Sequence, residues 1–200
     1  ELFCYDGSSV EQVAEINTRG SAAPEGFTVF DDGSGAKLYF SAVSGGDGKE
    51  LHSYDGSTVQ QVADLNTGSA GSNPYGFTVY NPGNAPERLY FSADDGSNGR
   101  ELFGYDGSTV ELIADVNDGS GDSNPSDFTT FFCGTKGTWL YFEATNGSDG
   151  DELFYYDGEQ ASFGQVADIN SGSASSYPTY LTVADVGDGE RLYFNASDGN

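Results

Sequence analysis

The segments ELFCYDG, ELHSYDG, ELFGYDG and ELFYYDG begin at Glu1, Glu50, Glu101 and Glu152, and each opens a stretch that matches the other three along its length. A period of about fifty residues means one small structural unit made four times, each copy covering apolar surface its neighbour cannot cover alone. The chain therefore reads as a single repeat domain, 1–200, with units 1–49, 50–100, 101–151 and 152–200. A residue found once per unit serves the architecture or a site repeated with it. A residue found once carries little weight.

Within the second unit, ELHSYDG leads into Thr58–Leu65, a polar stretch, Phe77–Tyr80, another polar stretch, and Leu89–Ala93. Each segment is short, rich in β-branched and aromatic residues, and bounded by Gly, Asn, Asp, Ser or Pro, which predicts four strands per unit. No segment between breakers sustains a 3.6-residue apolar period, so helices are not expected. The recurrent LYFSA, LYFEA and LYFNA place Leu, Phe and Ala on one strand face and Tyr on the other. A sheet apolar on both faces needs cover on both, and in an all-β repeat the neighbouring unit supplies it. Four-stranded antiparallel sheets packed face to face make a β-propeller.

The predicted order from inside to outside is FTVY, LYFSA, ELFGYDG, VELIADV. In that phase the chain has three whole blades and two half-blades. The expected fold is all-β, a four-bladed β-propeller closed by pairing the C-terminal strand pair (Leu181–Val183, Leu192–Ala196) with the N-terminal pair (Leu2–Tyr5, Val10–Ile16), which removes every open inner edge. A window of a longer array is the alternative. The sequence has no Met, so a processed product or a piece of a larger protein is expected.

Against 32 acidic residues stand 7 basic ones, a formal net charge of -25. Such a surface repels nucleic acid phosphates and anionic lipid. It suits high salt or a calcium-rich exterior, where cations offset carboxylate repulsion. No stretch is long and apolar enough to span a bilayer as a helix. Cys4 and Cys133 lie at non-equivalent repeat positions with no CxxC spacing, and read as free buried thiols ahead of a disulfide. Asn146 and Asn195 open Asn-x-Ser sequons.

Two loops repeat with chemistry in them. The turn before each ELF strand supplies Glu1, Glu50, Glu101 and Glu152, carboxylates able to accept backbone N–H groups or to help hold calcium; the hydrogen-bonding role is preferred. The loop after the outer strand carries Asp64 and Asn66, Asp115 and Asn117, and Asp168 and Asn170, with Glu15 and Asn17 as its degenerate first copy. Two oxygen-bearing side chains spaced by two and followed by glycine are similar to the opening of a calcium loop, so these six residues are the candidate Ca2+ ligands; the closing bidentate glutamate of an EF-hand is missing. Asp6, Asp55, Asp106 and Asp157 precede glycine at an expected type I′ turn. Pro24, Pro74, Pro125 and Pro178 lead into the inner strand. His52 stands where the other units have Phe, and Trp139 is single; both read as packing residues.

Taken together, ELFGYDGSTV, VADVNDGSGDSNP, FTV and LYFSADDGSNGREL resemble the ELWxxDGT (hyalin-like) repeats of large secreted or surface-anchored proteins. The resemblance covers all four units and implies a propeller-like or adhesive extracellular protein. The chain departs from it in having Phe or His where that repeat often has Trp. The expected function is a non-enzymatic extracellular structural or adhesion module at the cell surface, a rigid scaffold of a surface layer, filament or matrix, stiffened by calcium. Its expected partners are other proteins or copies of itself. The alternative is a multivalent carbohydrate-binding propeller using Tyr75, Tyr80, Tyr177 and Tyr180, although these do not recur at one repeat position. No nucleophile elbow, histidine metal site or phosphate loop favours catalysis.

Overall fold

A computed structural model describes residues 1–200. It contains sixteen strands and a single 3-10 turn, Gly134–Lys136. The strands are β1 (Leu2–Tyr5), β2 (Val10–Ala14), β3 (Glu25–Asp31), β4 (Ala36–Val43), β5 (Lys49–Tyr54), β6 (Val59–Gln61), β7 (Tyr75–Tyr80), β8 (Arg88–Asp94), β9 (Arg100–Tyr105), β10 (Val110–Ala114), β11 (Ser126–Phe132), β12 (Thr138–Thr145), β13 (Asp151–Asp157), β14 (Ser162–Ala167), β15 (Thr179–Asp185) and β16 (Glu190–Asn195). They form three four-stranded antiparallel meanders, β3–β6, β7–β10 and β11–β14, and two hairpins, β1–β2 and β15–β16. The register repeats with the sequence: Leu38 faces Tyr54, Leu89 faces Tyr105 and Leu140 faces Tyr156.

The period-2 alternation of the LYFSA strand decides how the sheets stack. Leu89, Phe91 and Ala93 point back into a buried cluster with Phe30, Tyr39 and Leu51 of the preceding sheet. Tyr90 points forward into a cluster with Leu140, Phe142 and Tyr156 of the next. Two tyrosines meet in each gap, Tyr39 with Tyr105 and Tyr90 with Tyr156, both at 5.7 Å between centroids. A buried phenylalanine or leucine contributes about 2 kcal/mol by leaving water, so these layers hold the units together. The first strands also touch in series, β3 on β7, β7 on β11 and β11 on β15. Thr28 and Thr129 donate from their hydroxyls to the Phe77 and Leu181 carbonyls across these contacts.

Each first strand begins with a bulge in the same place: Gly26, Gly76, Asp127 and Tyr180 all have φ between 53° and 73°. At Gly26 and Gly76 a Cβ would sit within 2.8 Å and 2.6 Å of Phe77 and Phe128, so glycine is required there. In the fourth unit Leu181 replaces that phenylalanine, which explains why the third unit can carry Asp127 in the same conformation.

Three expectations are corrected. The two terminal hairpins stand as separate two-stranded sheets and do not pair with each other, so no closed ring forms. In the YDG steps glycine alone of the turn residues has positive φ, at Gly7, Gly56 and Gly107, so the turn is not type I′. Its aspartate acts as an Asx cap instead, Asp55 Oδ1 accepting the N–H of Ser57 and Thr58 at 2.8 Å each. Both cysteines are free, and Cys4 is exposed rather than buried.

Candidate functional site

The most heavily bonded polar groups in the chain are the once-per-unit glutamates. Glu50, Glu101 and Glu152 open the third strand of their sheets and are fully buried. The Glu101 carboxylate accepts the Val116 N–H at 2.7 Å, the Ser123 N–H at 3.0 Å and the Ser123 hydroxyl at 2.6 Å. Glu50 accepts from the Leu65 and Ser72 N–H groups and the Ser72 hydroxyl. Glu152 does the same with the Ile169, Asn170 and Ser176 N–H groups and the Ser176 hydroxyl. The first unit keeps a reduced form: half-buried Glu1 accepts from Ile16 and Asn17, and Ala22 occupies the serine position.

These serines lie in the crossover from one sheet to the next, and their backbone ties both. The Ser72, Ser123 and Ser176 carbonyls accept the Asp94, Thr145 and Ser197 N–H groups, which lie on or just past the second strand of the sheet that follows. Ser123 and Ser176 donate back to the Arg100 and Asp151 carbonyls of the preceding unit. The carboxylate thus clamps the outer loop, the crossover and two sheets. Sequence reasoning found the glutamates and their hydrogen-bonding role but missed Ser72, Ser123 and Ser176. The available signal was a serine two residues before each proline in three of four units.

Burial and donation oppose each other in the clamp. Burial pushes the Glu101 carboxyl up to about 7, ahead of the lowering by Ser123 and Val116; neighbouring Asp115 adds to the rise. Glu50 is raised as well, again chiefly by burial. Glu1 is lowered, with the Ile16 N–H as the main cause. None of these glutamates lines a cavity.

The candidate calcium residues come together only in pairs, each within its own loop. Asn66, Asn117 and Asn170 donate from Nδ2 to the Gly71, Asp122 and Ser175 carbonyls and so close the loop. Asp115 and Asp168 accept the Gly119 and Gly172 N–H groups, while Asp64 is exposed. The asparagine side chains also seat the following turn, where a Cβ on Gly96, Gly147 or Gly199 would meet Oδ1 of Asn66, Asn117 or Asn170 within 2.7 Å. No three Asp, Glu, His or Cys side chains converge. A six- to eight-oxygen calcium shell at these pairs would have to draw its remaining ligands from backbone carbonyls and water. Asp115 Oδ1 is a buried oxygen without a donor.

The single residues pack as expected. His52 is buried, stacked 6.0 Å from Phe40, with Nδ1 on the Glu50 carbonyl at 3.0 Å. Trp139 stacks on Tyr155 at 4.5 Å. The Asn146 amide is engaged by Asp149 and Gln165, whereas Asn195 is exposed. Of the tyrosines considered for sugar stacking, Tyr80 is buried and donates to the Thr138 carbonyl, Tyr75 lies beneath Arg100, and Tyr177 and Tyr180 are exposed. A shallow groove of about 440 Å³ runs instead along the first strands, lined by Phe27, Phe77 and Phe128 at one repeat position, with Asp127 beside them.

No protein-family model matches this chain, and no curated protein is similar to it.

Proposed function

We propose that the chain is a non-enzymatic structural or adhesion module of an extracellular assembly, a stiff scaffold of propeller-type blades. The observation that carries this reading is the repeated glutamate–serine clamp, which consumes the most buried carboxylates in holding sheet to sheet. The net charge of -25 fits an exterior rich in salt or divalent cations. Protease shaving of intact source cells tests the setting. Peptides of this chain released without lysis are expected, and recovery only after lysis overturns the extracellular reading.

Calcium belongs to this reading at the Asp115 loop, where the unpartnered Oδ1 offers a first ligand. Adding millimolar Ca2+ to chelated protein is expected to raise Tm in the native chain and not in Asp115→Asn; an equal response in both removes the site.

A carbohydrate-binding role is the second reading, favoured by the recurrence of Phe27, Phe77 and Phe128 along one groove. Sugar rings stack on such faces, and several weak equivalent positions add avidity. Binding to a glycan panel that is lost in Phe77→Ala supports it. No binding removes it.

A further inference from the structure

Two gaps are bounded on both sides by complete sheets: the first between β3–β6 and β7–β10, the second between β7–β10 and β11–β14. They share one polar constellation. Lys37, Tyr39 and Tyr105 form it in the first gap, and Arg88, Tyr90 and Tyr156 hold the same repeat positions in the second. The two tyrosine pairs are alike, each 5.7 Å between centroids, at 51° and 50°. What differs is the loop between the first and second strands. In the first gap that loop supplies Asp32, whose side chain is 5% exposed and whose Oδ2 accepts from Lys37 Nζ and, at 3.0 Å, from the Tyr39 hydroxyl. In the third sheet Cys133 stands at the position of Asp32, with Sγ 2.8 Å from the Tyr141 hydroxyl. In the second sheet the position is Pro82, which brings no polar side chain. Its seat is nonetheless the same, for a Cβ on Gly107 would strike Asp32 and one on the equivalent Gly158 would strike Pro82.

The second gap therefore keeps the cation and both hydroxyls but receives no carboxylate from the loop, and there a cleft of about 300 Å³ opens between the sheets. No cavity opens at Lys37, Tyr39 or Tyr105. Arg88 Nη1 donates at 2.8 Å to Glu111, a half-exposed carboxylate, and the other guanidinium donors are uncommitted. The Tyr90 hydroxyl faces that of Tyr156 and has no partner from its own loop. Pro86, Ile113 and Ala161 make the rest of the wall apolar.

We propose that this cleft binds a small organic monocarboxylate with an apolar body, whose carboxylate takes the place that Asp32 fills in the first gap. Arg88 and Tyr90 donate to it as Lys37 and Tyr39 donate to Asp32, and the guanidinium fork suits a carboxylate better than an ammonium does. The apolar body lies against Pro86, Ile113 and Ala161. A volume at the lower end of the range for ligand pockets calls for a small ligand. Glu111 and Asp106 act on Arg88, and with a net charge of -25 they repel a second negative charge, which restricts the ligand to a monoanion. The site goes beyond the scaffold reading and uses neither the phenylalanine groove nor the calcium loops.

NMR titration of isotope-labelled protein with phenylacetate, benzoate and isovalerate, each to about 20 mM, tests the proposal. At least one of the three is expected to shift the amide signals of Glu111, Ile113 and Gly158 with a Kd of about 1 mM or tighter, while the corresponding primary amides leave them in place. Arg88→Gln is expected to weaken binding at least about tenfold. Pro82→Asp, which returns a carboxylate to the loop, is expected to abolish binding by filling the site from within; Arg88→Gln carries the test alone if that variant does not fold. The proposal is overturned by silence from all three acids, by amides that bind as well as acids, or by undiminished binding in folded Arg88→Gln or Pro82→Asp. Shifts centred on Phe77 and Phe128 also overturn it, because they assign the acid to the phenylalanine groove.

Discussion

At Glu101 two effects meet, and their balance sets how the molecule responds to pH. The carboxyl is fully buried, which favours its neutral form, yet it accepts three hydrogen bonds, which favour the charged one. Its upward shift to about 7 from an ordinary 4.5 says that burial prevails. The folded state then holds this proton more tightly than the unfolded state does. The resulting stability is fully present below pH 4.5 and is lost as pH rises through about 7. Native protein is therefore expected to lose several degrees of Tm between pH 4.5 and 7.5, with a shallower fall in Glu101→Gln; parallel curves would contradict the assignment. Glu101→Ala strands the buried Val116 N–H and leaves Ser123 only its bonds to the Arg100 carbonyl, and is expected to cost about 3 kcal/mol in denaturant melts. The clamp's glutamates were legible because they recur once per unit. Its serines were not, since Ser72, Ser123 and Ser176 sit in loops whose Ser, Asn and Gly content already reads as turn.

At the scale of strands, the alternation in LYFSA and the breakers around each segment were enough to find all sixteen, because period and turn chemistry act locally. The bulge at the start of each first strand was hidden. Gly26 and Gly76 hint at it, but Asp127 and Tyr180 take up the same left-handed conformation with no sequence signature. The shape recurs at the same register step whether glycine, aspartate or tyrosine stands there, so pairing with the second strand, not local preference, goes with it. Gly76→Ala adds a methyl 2.6 Å from the Phe128 ring in a backbone conformation alanine resists, and is expected to cost about 2 kcal/mol. Asp127→Gly, relieving the same conformation, is expected to leave stability within about 0.5 kcal/mol of the parent. Equal losses at the two positions would show that the bulge is not what glycine serves there.

For the molecule as a whole, mutual cover between units followed from an apolar pattern on both strand faces, whereas ring closure did not. Closure requires the first and last strand pairs to meet across the whole chain, which no local spacing encodes, and β1–β2 and β15–β16 stand as separate sheets. The net charge of -25 acts on the whole row at once. Raising NaCl from about 0.05 M to about 1 M is expected to increase Tm by several degrees through screening of carboxylate repulsion; a fall would assign the acidity to specific ion pairs instead. Each sheet is held folded by its neighbours. Phe91, a β8 residue fully buried against the preceding sheet, tests it most directly through hydrogen exchange of Phe91→Ala. Faster exchange is expected in β4 and β5 of the preceding sheet as well as in β8 and β9, with a loss of about 3 kcal/mol. Faster exchange confined to β8 and β9 would mean that the units stand alone, and would contradict it.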